Sequence, residues 1–205
     1  MRFKNVALLF VLTASFVFAA PRPSLAPEAG IWTLDVVYTH PAQYAVKDND
    51  GNSQIYWYTV LSMTNNSGQD VPFYPKFELM TDTWQIKTSD TGITKPIYDA
   101  LKKMNEGSFP FLETMDEVDN MILQGEDNSV DLLVVWKDFD LEAKGVKFFF
   151  GGLSNETSVV EAEKDGETVK YYLQKTLELD YDVPGDEKKR QSQELVFDIQ
   201  KWVMR

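Results

Sequence analysis

Residues 158–183 read SVVEAEKDGETVKYYLQKTLELDYDV, and this stretch decides the fold. Asp165-Gly166 stands between two runs rich in Val and Tyr. That dipeptide suits a tight β-hairpin turn, whose central residues need φ above zero. Past the turn, Tyr171, Leu173, Leu177, Leu179, Tyr181 and Val183 keep one parity. A period of two marks a strand with one buried face, so the segment predicts a strand that is long or continues past a bulge at Lys175. Val183-Pro184-Gly185-Asp186 reads as a turn and Asp186–Gln193 as a charged loop. Leu195, Phe197 and Ile199 then form a last strand with Trp202 at its end.

The same period extends upstream. Trp32, Leu34, Val36 and Tyr38 share one strand face, and KDNDGN at 47–52 carries a second Asp-Gly hairpin signal. Ile55–Thr64 is apolar on both faces, which predicts a central strand covered on both sides. Phe73, Phe77 and Leu79 alternate, while Pro72 and Pro75 push that strand toward a sheet edge. Trp84 and Ile86 predict a further short strand, with Trp32, Trp57 and Trp84 in phase with core neighbours. The period then changes. Pro96, Ile97, Leu101, Met104 and Gly107 are placed as in a short helix, and Thr114 with Glu117 forms a capping box for a second one, stopped at Gly125. Asp131–Lys137 and Val146–Phe150 return to strand, the latter ended by Gly151-Gly152. The expectation is a mainly β chain: an antiparallel, immunoglobulin-like sandwich of about nine strands with a helical insertion at about 94–125. No βαβ alternation is present, which argues against parallel α/β folds.

The chain has 205 residues, with 32 acidic and 20 basic side chains, one His and no Cys. A net charge of -12 argues against a phosphate-binding surface, since nucleic-acid affinity comes mostly from Lys and Arg. Without Cys there is no disulfide, thiolate metal site or cysteine nucleophile. His40 stands beside Pro41 at a strand end, there is no G-x-S-x-G, and no pair of carboxylates is singled out for glycoside chemistry. No catalytic residue is assigned.

Arg2 and Lys4 followed by the apolar run Val6–Phe18 have the pattern of a secretory signal, with Val17-Phe18-Ala19 as recognition triplet and cleavage before Ala20. An uncleaved anchor is the alternative. Residues 1–19 are thus expected to be a signal peptide, 20–30 a Pro-rich leader and 31–205 a single domain. The compartment expected is periplasmic or extracellular.

The segments 123–128 (LQGEDN), 135–140 (VWKDFD), 151–156 (GGLSNE) and 202–205 (WVMR) resemble a family of uncharacterised secreted bacterial proteins with an immunoglobulin-like β-sandwich. The resemblance spans most of the chain. It implies fold and compartment, and no activity or site residue.

Two sets of residues are candidates for ligand contact. Tyr56, Tyr58, Phe73 and Phe77 are the aromatics best placed to stack on a sugar ring from an exposed sheet face. Asp138, Asp140 and Glu142 share one side of an extended segment and offer hard oxygen ligands for Ca²⁺, whereas Asp48-Asn49-Asp50-Gly51 fails the EF-hand spacing. No other cofactor is expected. The chain reads as an exported, non-enzymatic domain that binds a protein or an envelope polysaccharide, with a carbohydrate-binding module, calcium-assisted or not, as the alternative. The 94–125 insertion is the first place to look for recognition, or else a cap on one open end of the sandwich.

Overall fold

Burial follows the alternation read from the sequence. The computed structural model describes residues 30–47, 53–164, 166–185 and 194–205. The expected signal peptide, most of the leader, the 48–52 turn and the 186–193 loop lie outside the described residues. The elements are β1 (Asp35–Tyr38), β2 (Ala42–Lys47), β3 (Ser53–Thr64), β4 (Val71–Pro72), β5 (Lys76–Thr81), β6 (Ile86–Thr88), α1 (Lys95–Asn105), β7 (Glu113–Thr114), β8 (Met121–Ile122), β9 (Val130–Lys137), β10 (Gly145–Gly151), β11 (Thr157–Lys164), β12 (Glu167–Asp182) and β13 (Val196–Met204).

One sheet runs β1-β3-β9-β7, with β2 also on β3. The other runs β11-β12-β10-β5-β6, with β13 also on β12. β4 and β8 form a separate two-residue pair. The described residues are mainly β, with several sheets and one α-helix. β7 pairs parallel to β9, so the first sheet is mixed, which corrects the all-antiparallel expectation. Among the described residues thirteen strands replace the expected nine or so, because short rungs such as β4, β7 and β8 carry no periodicity of their own.

β3 is covered on both faces, as its two-sided apolar pattern requires. Trp57, Leu61 and Met63 join Phe77, Leu79, Phe148, Phe150 and Leu179 of the second sheet in the main core. Tyr56 and Val60 instead meet Ile97 and Leu101 of α1. The 94–125 segment therefore packs its helix on the outer face of the first sheet. Pro96 opens α1, and Ile97 and Leu101 sit one turn apart on its buried side, while Met104 is exposed. The second helix does not form. The capping-box contacts exist, with Thr114 N–H and hydroxyl both donating to Glu117 Oε2. Only Glu117 and Val118 N–H reach back to the Thr114 carbonyl, so the motif closes one turn and stops.

The corner after β10 positions everything that follows. Gly152 has φ +87°, and a Cβ there would lie 2.5 Å from the Tyr74 carbonyl oxygen. Only glycine fits that approach. The next residues are stitched to the chain's first described segment. Leu34 N–H donates to the Leu153 carbonyl, Trp32 N–H to Asn155 Oδ1, and Asn155 Nδ2 to the Gly30 carbonyl.

Candidate binding surfaces

The aromatics expected on the surface are largely internal. Phe73 and Phe77 are each 0% exposed and belong to the main core, which removes them as a ligand platform. The alternating pattern that suggested them was the pattern of a buried face. Tyr56 is buried and Tyr58 half-buried, both packed against the cluster under α1, with the Tyr56 hydroxyl donating to Gln54 Oε1. The three acidic residues organise a loop. Asp138 Oδ1 accepts from Trp57 Nε1 at 2.8 Å and from Phe139 N–H, and Asp140 accepts from the Thr83 hydroxyl and Glu142 N–H. Among the described residues no group of three His, Asp or Glu is arranged to hold a metal ion. The single His shares a 2.8 Å hydrogen bond between its Nδ1 and the Tyr181 hydroxyl, and its ring contacts Tyr38 and Phe197.

Two surfaces stand out instead. The first is an arm. β12 is 16 residues long, and only its second half is held on both sides, by β10 and β13. Its first half pairs with β11 alone, from Thr157↔Gln174 to Lys164↔Glu167. The Asp-Gly hairpin of the sequence is therefore a two-stranded ribbon rooted at the Gly152 corner. On one of its faces the register brings together Val160 with Tyr171 and Ala162 with Val169, with Leu173 beside them. These residues continue the parity of Leu177 and Leu179, so the core-facing side of the sheet runs out into the arm. Val160 and Tyr171 are exposed there, as is Tyr172 on the opposite face.

The arm also has a free edge. Gln174 exchanges both backbone hydrogen bonds with Arg205, whereas Lys175 N–H points the other way, to the Glu156 carbonyl. Backbone groups alternate along a strand, so Tyr172, Lys170 and Thr168 present N–H and C=O on the Arg205 side. Among the described residues no strand pairs with them there.

The second surface is a cleft of about 380 Å³ on the outer face of the second sheet. Met80, Lys147 and Asp180 stand side by side across β5, β10 and β12 and form its floor. Asp82 and Trp84 line it from the β5–β6 turn, and Asp182 and Asp198 from the far side. Lys147 Nζ donates to Glu178 and Asp180, 2.7 Å each, and Lys201 reaches the same two carboxylates. Burial works most strongly against the Asp180 carboxylate, yet the hydrogen bonds with Lys147 and Glu178 and the charges of Lys147 and Lys201 together outweigh it and hold the group below the usual range. Asp180 Oδ1 is buried without a hydrogen-bond partner.

Trp84 overturns its expected place in the core. It is 82% exposed and takes φ +67°, at the position of the turn where glycine is usual. The turn is tied from several sides. Trp84 N–H donates to the Thr81 carbonyl, Thr81 N–H to the Gln85 carbonyl, Thr83 to Asp140, and Asp140 N–H to Gln85 Oε1. Thr81-Asp82-Thr83 ahead of the Trp was the available sequence clue: polar turn formers break the strand just before the aromatic.

No protein-family model, curated protein or solved structure matches the chain. Among the described residues no helix is long and apolar enough to cross a membrane.

Proposed function

We propose that the chain is an exported, non-enzymatic binding domain that captures an extended segment of another protein on the β11–β12 arm. The arm supports this reading: one ribbon offers a backbone edge unpaired among the described residues and an adjoining apolar face, Val160, Ala162, Val169 and Tyr171. A strand added to such an edge gains main-chain hydrogen bonds, and alternate side chains of the guest find apolar contacts. A hydrophobic edge left open invites aggregation, so its occupation by a partner is the economical explanation. The non-enzymatic part rests on His40, whose neighbours are aromatic rings rather than a carboxylate or a serine hydroxyl. Export rests on the N-terminal pattern of Arg2, Lys4 and Val6–Phe18. An immunoglobulin-like classification is part of the same proposal, supported by two sheets around one core.

The test is photo-crosslinking in envelope extract, with a photoreactive residue in place of Tyr172 and, as control, in place of Thr88 on β6. The reading predicts one protein adduct from position 172 and none from 88. Equal labelling from both, or none from 172, contradicts it.

A further inference from the structure

We infer that the Trp84 cleft is a second binding site, and that it takes an organic cation: a guanidinium or ammonium group on an aliphatic stem. A volume of about 380 Å³ is enough for a side-chain-sized ligand. The indole of Trp84 stands exposed at the rim in a backbone conformation that disfavours bulky side chains. The fold does not need that ring there, because its packing contributes little at 82% exposure. Strain held in place by surrounding bonds is typical of positions kept for contact with a ligand.

The polar lining sets the sign of the ligand. Asp82, Asp180, Asp182 and Asp198 offer acceptors, and among the described residues Lys147 is the one ammonium on the lining. Lys147 is already committed to Glu178 and Asp180, Lys201 to the same pair, and Lys144 Nζ to the Gly185 carbonyl. Asp82 accepts from Lys144 N–H, while the Asp182 and Asp198 side chains have no partner among the described residues. A neutral sugar would satisfy the acceptors but leave their charge uncompensated as water leaves the cleft. A cation neutralises it, and its charged head can lie over the indole face at the same time. The inference does not depend on the arm and stands or falls separately from it.

The test uses the full chain and N-acetyl-arginine amide as probe, read by the indole N–H resonance of Trp84, which is assigned by its loss in Trp84→Phe. The expected result is a saturable shift with the arginine probe and none with N-acetyl-glutamine amide. The double variant Asp182→Asn/Asp198→Asn, checked for an unchanged melting temperature, should bind about tenfold more weakly or worse. Three results overturn the inference: equal shifts with both amides, no shift with the arginine probe, or a shift with a neutral oligosaccharide alone. The last would assign the cleft to sugars.

Discussion

Gln174 and Arg205 exchange two backbone hydrogen bonds, of 2.8 and 3.0 Å, and beyond that rung β12 is paired on one side only among the described residues. The rung divides a strand with two jobs. On one side Leu177 and Leu179 fill the core, and on the other Tyr171 and Val160 face outward on the arm. The two halves should respond differently to mutation. Val160→Thr with Tyr171→Thr should change unfolding free energy by less than about 1 kcal/mol, as for exposed sites. Leu177→Ala should cost about 2–5 kcal/mol through the cavity it leaves. Denaturant melts of the two variants side by side check the division.

The root of the arm depends on one glycine. Gly152→Ala forces a Cβ to within 2.5 Å of the Tyr74 carbonyl at φ +87°. The expected loss is at least about 2 kcal/mol from the backbone conformation and the clash together. Gly166→Ala, with φ +84° and open space around its Cβ, carries the conformational part alone and should cost less. Equal losses would remove the clash from the account.

Asp90 supplies a pH signature. It has φ +60°, accepts from the Tyr98 hydroxyl at 2.6 Å, and has Oδ2 buried without a hydrogen-bond partner. Burial raises its pKa above the usual 3.8, against the opposing pull of hydrogen bonds from Tyr98 and Ser89. A folded-state pKa above the unfolded one favours folding at pH below 3.8, and that contribution is lost as pH rises through the folded value. Asp90→Asn keeps an acceptor for Tyr98 and cannot ionise. Its stability relative to the wild type should therefore climb as pH rises from below 3.8 through the raised folded-state pKa and then level off. A difference that stays flat as pH rises from below 3.8 would contradict the burial argument.

Most of the architecture was legible because burial on one face imposes a period. The 177–183 part of the long parity run, the two-faced apolar run of β3 and the Ile97–Leu101 spacing all reappear as core contacts. The periodic signal says that a face is covered, however, and not by what. Tyr56 and Tyr58 were misread for that reason: α1 covers them, and α1 is distant in sequence. Phe73 and Phe77 show the converse, aromatics that alternate because they are core. Trp84 escaped because an aromatic beside Ile86 looks like strand, while its turn depends on partners such as Asp140 that sequence does not bring near. The arm's hairpin was visible, but its isolation was not, since only the position of β13 along β12 reveals where pairing stops.

The acidic loop carries a stability prediction. Asp138 Oδ1 is the acceptor for the indole N–H of Trp57, whose side chain is 1% exposed. Asp138→Ala leaves that donor buried and should cost about 1–3 kcal/mol. Millimolar calcium should leave the melting temperature of the unmodified chain where it was, because the carboxylates of Asp138 and Asp140 already serve Trp57, Thr83 and Glu142. A calcium-dependent rise lost in Asp140→Asn would reverse this reading of the loop.

The central claim, strand addition along the arm's free edge, meets its most direct test at Lys170. Its backbone N–H faces the open side, so proline there removes one outward donor and no β11 bond. Lys170→Ala keeps that donor and loses the same side chain. The measurement is capture of the photo-crosslinked partner by both variants, each first shown to melt with the unmodified chain. The account predicts capture by Lys170→Ala and loss with Lys170→Pro. Undiminished capture by Lys170→Pro would contradict it.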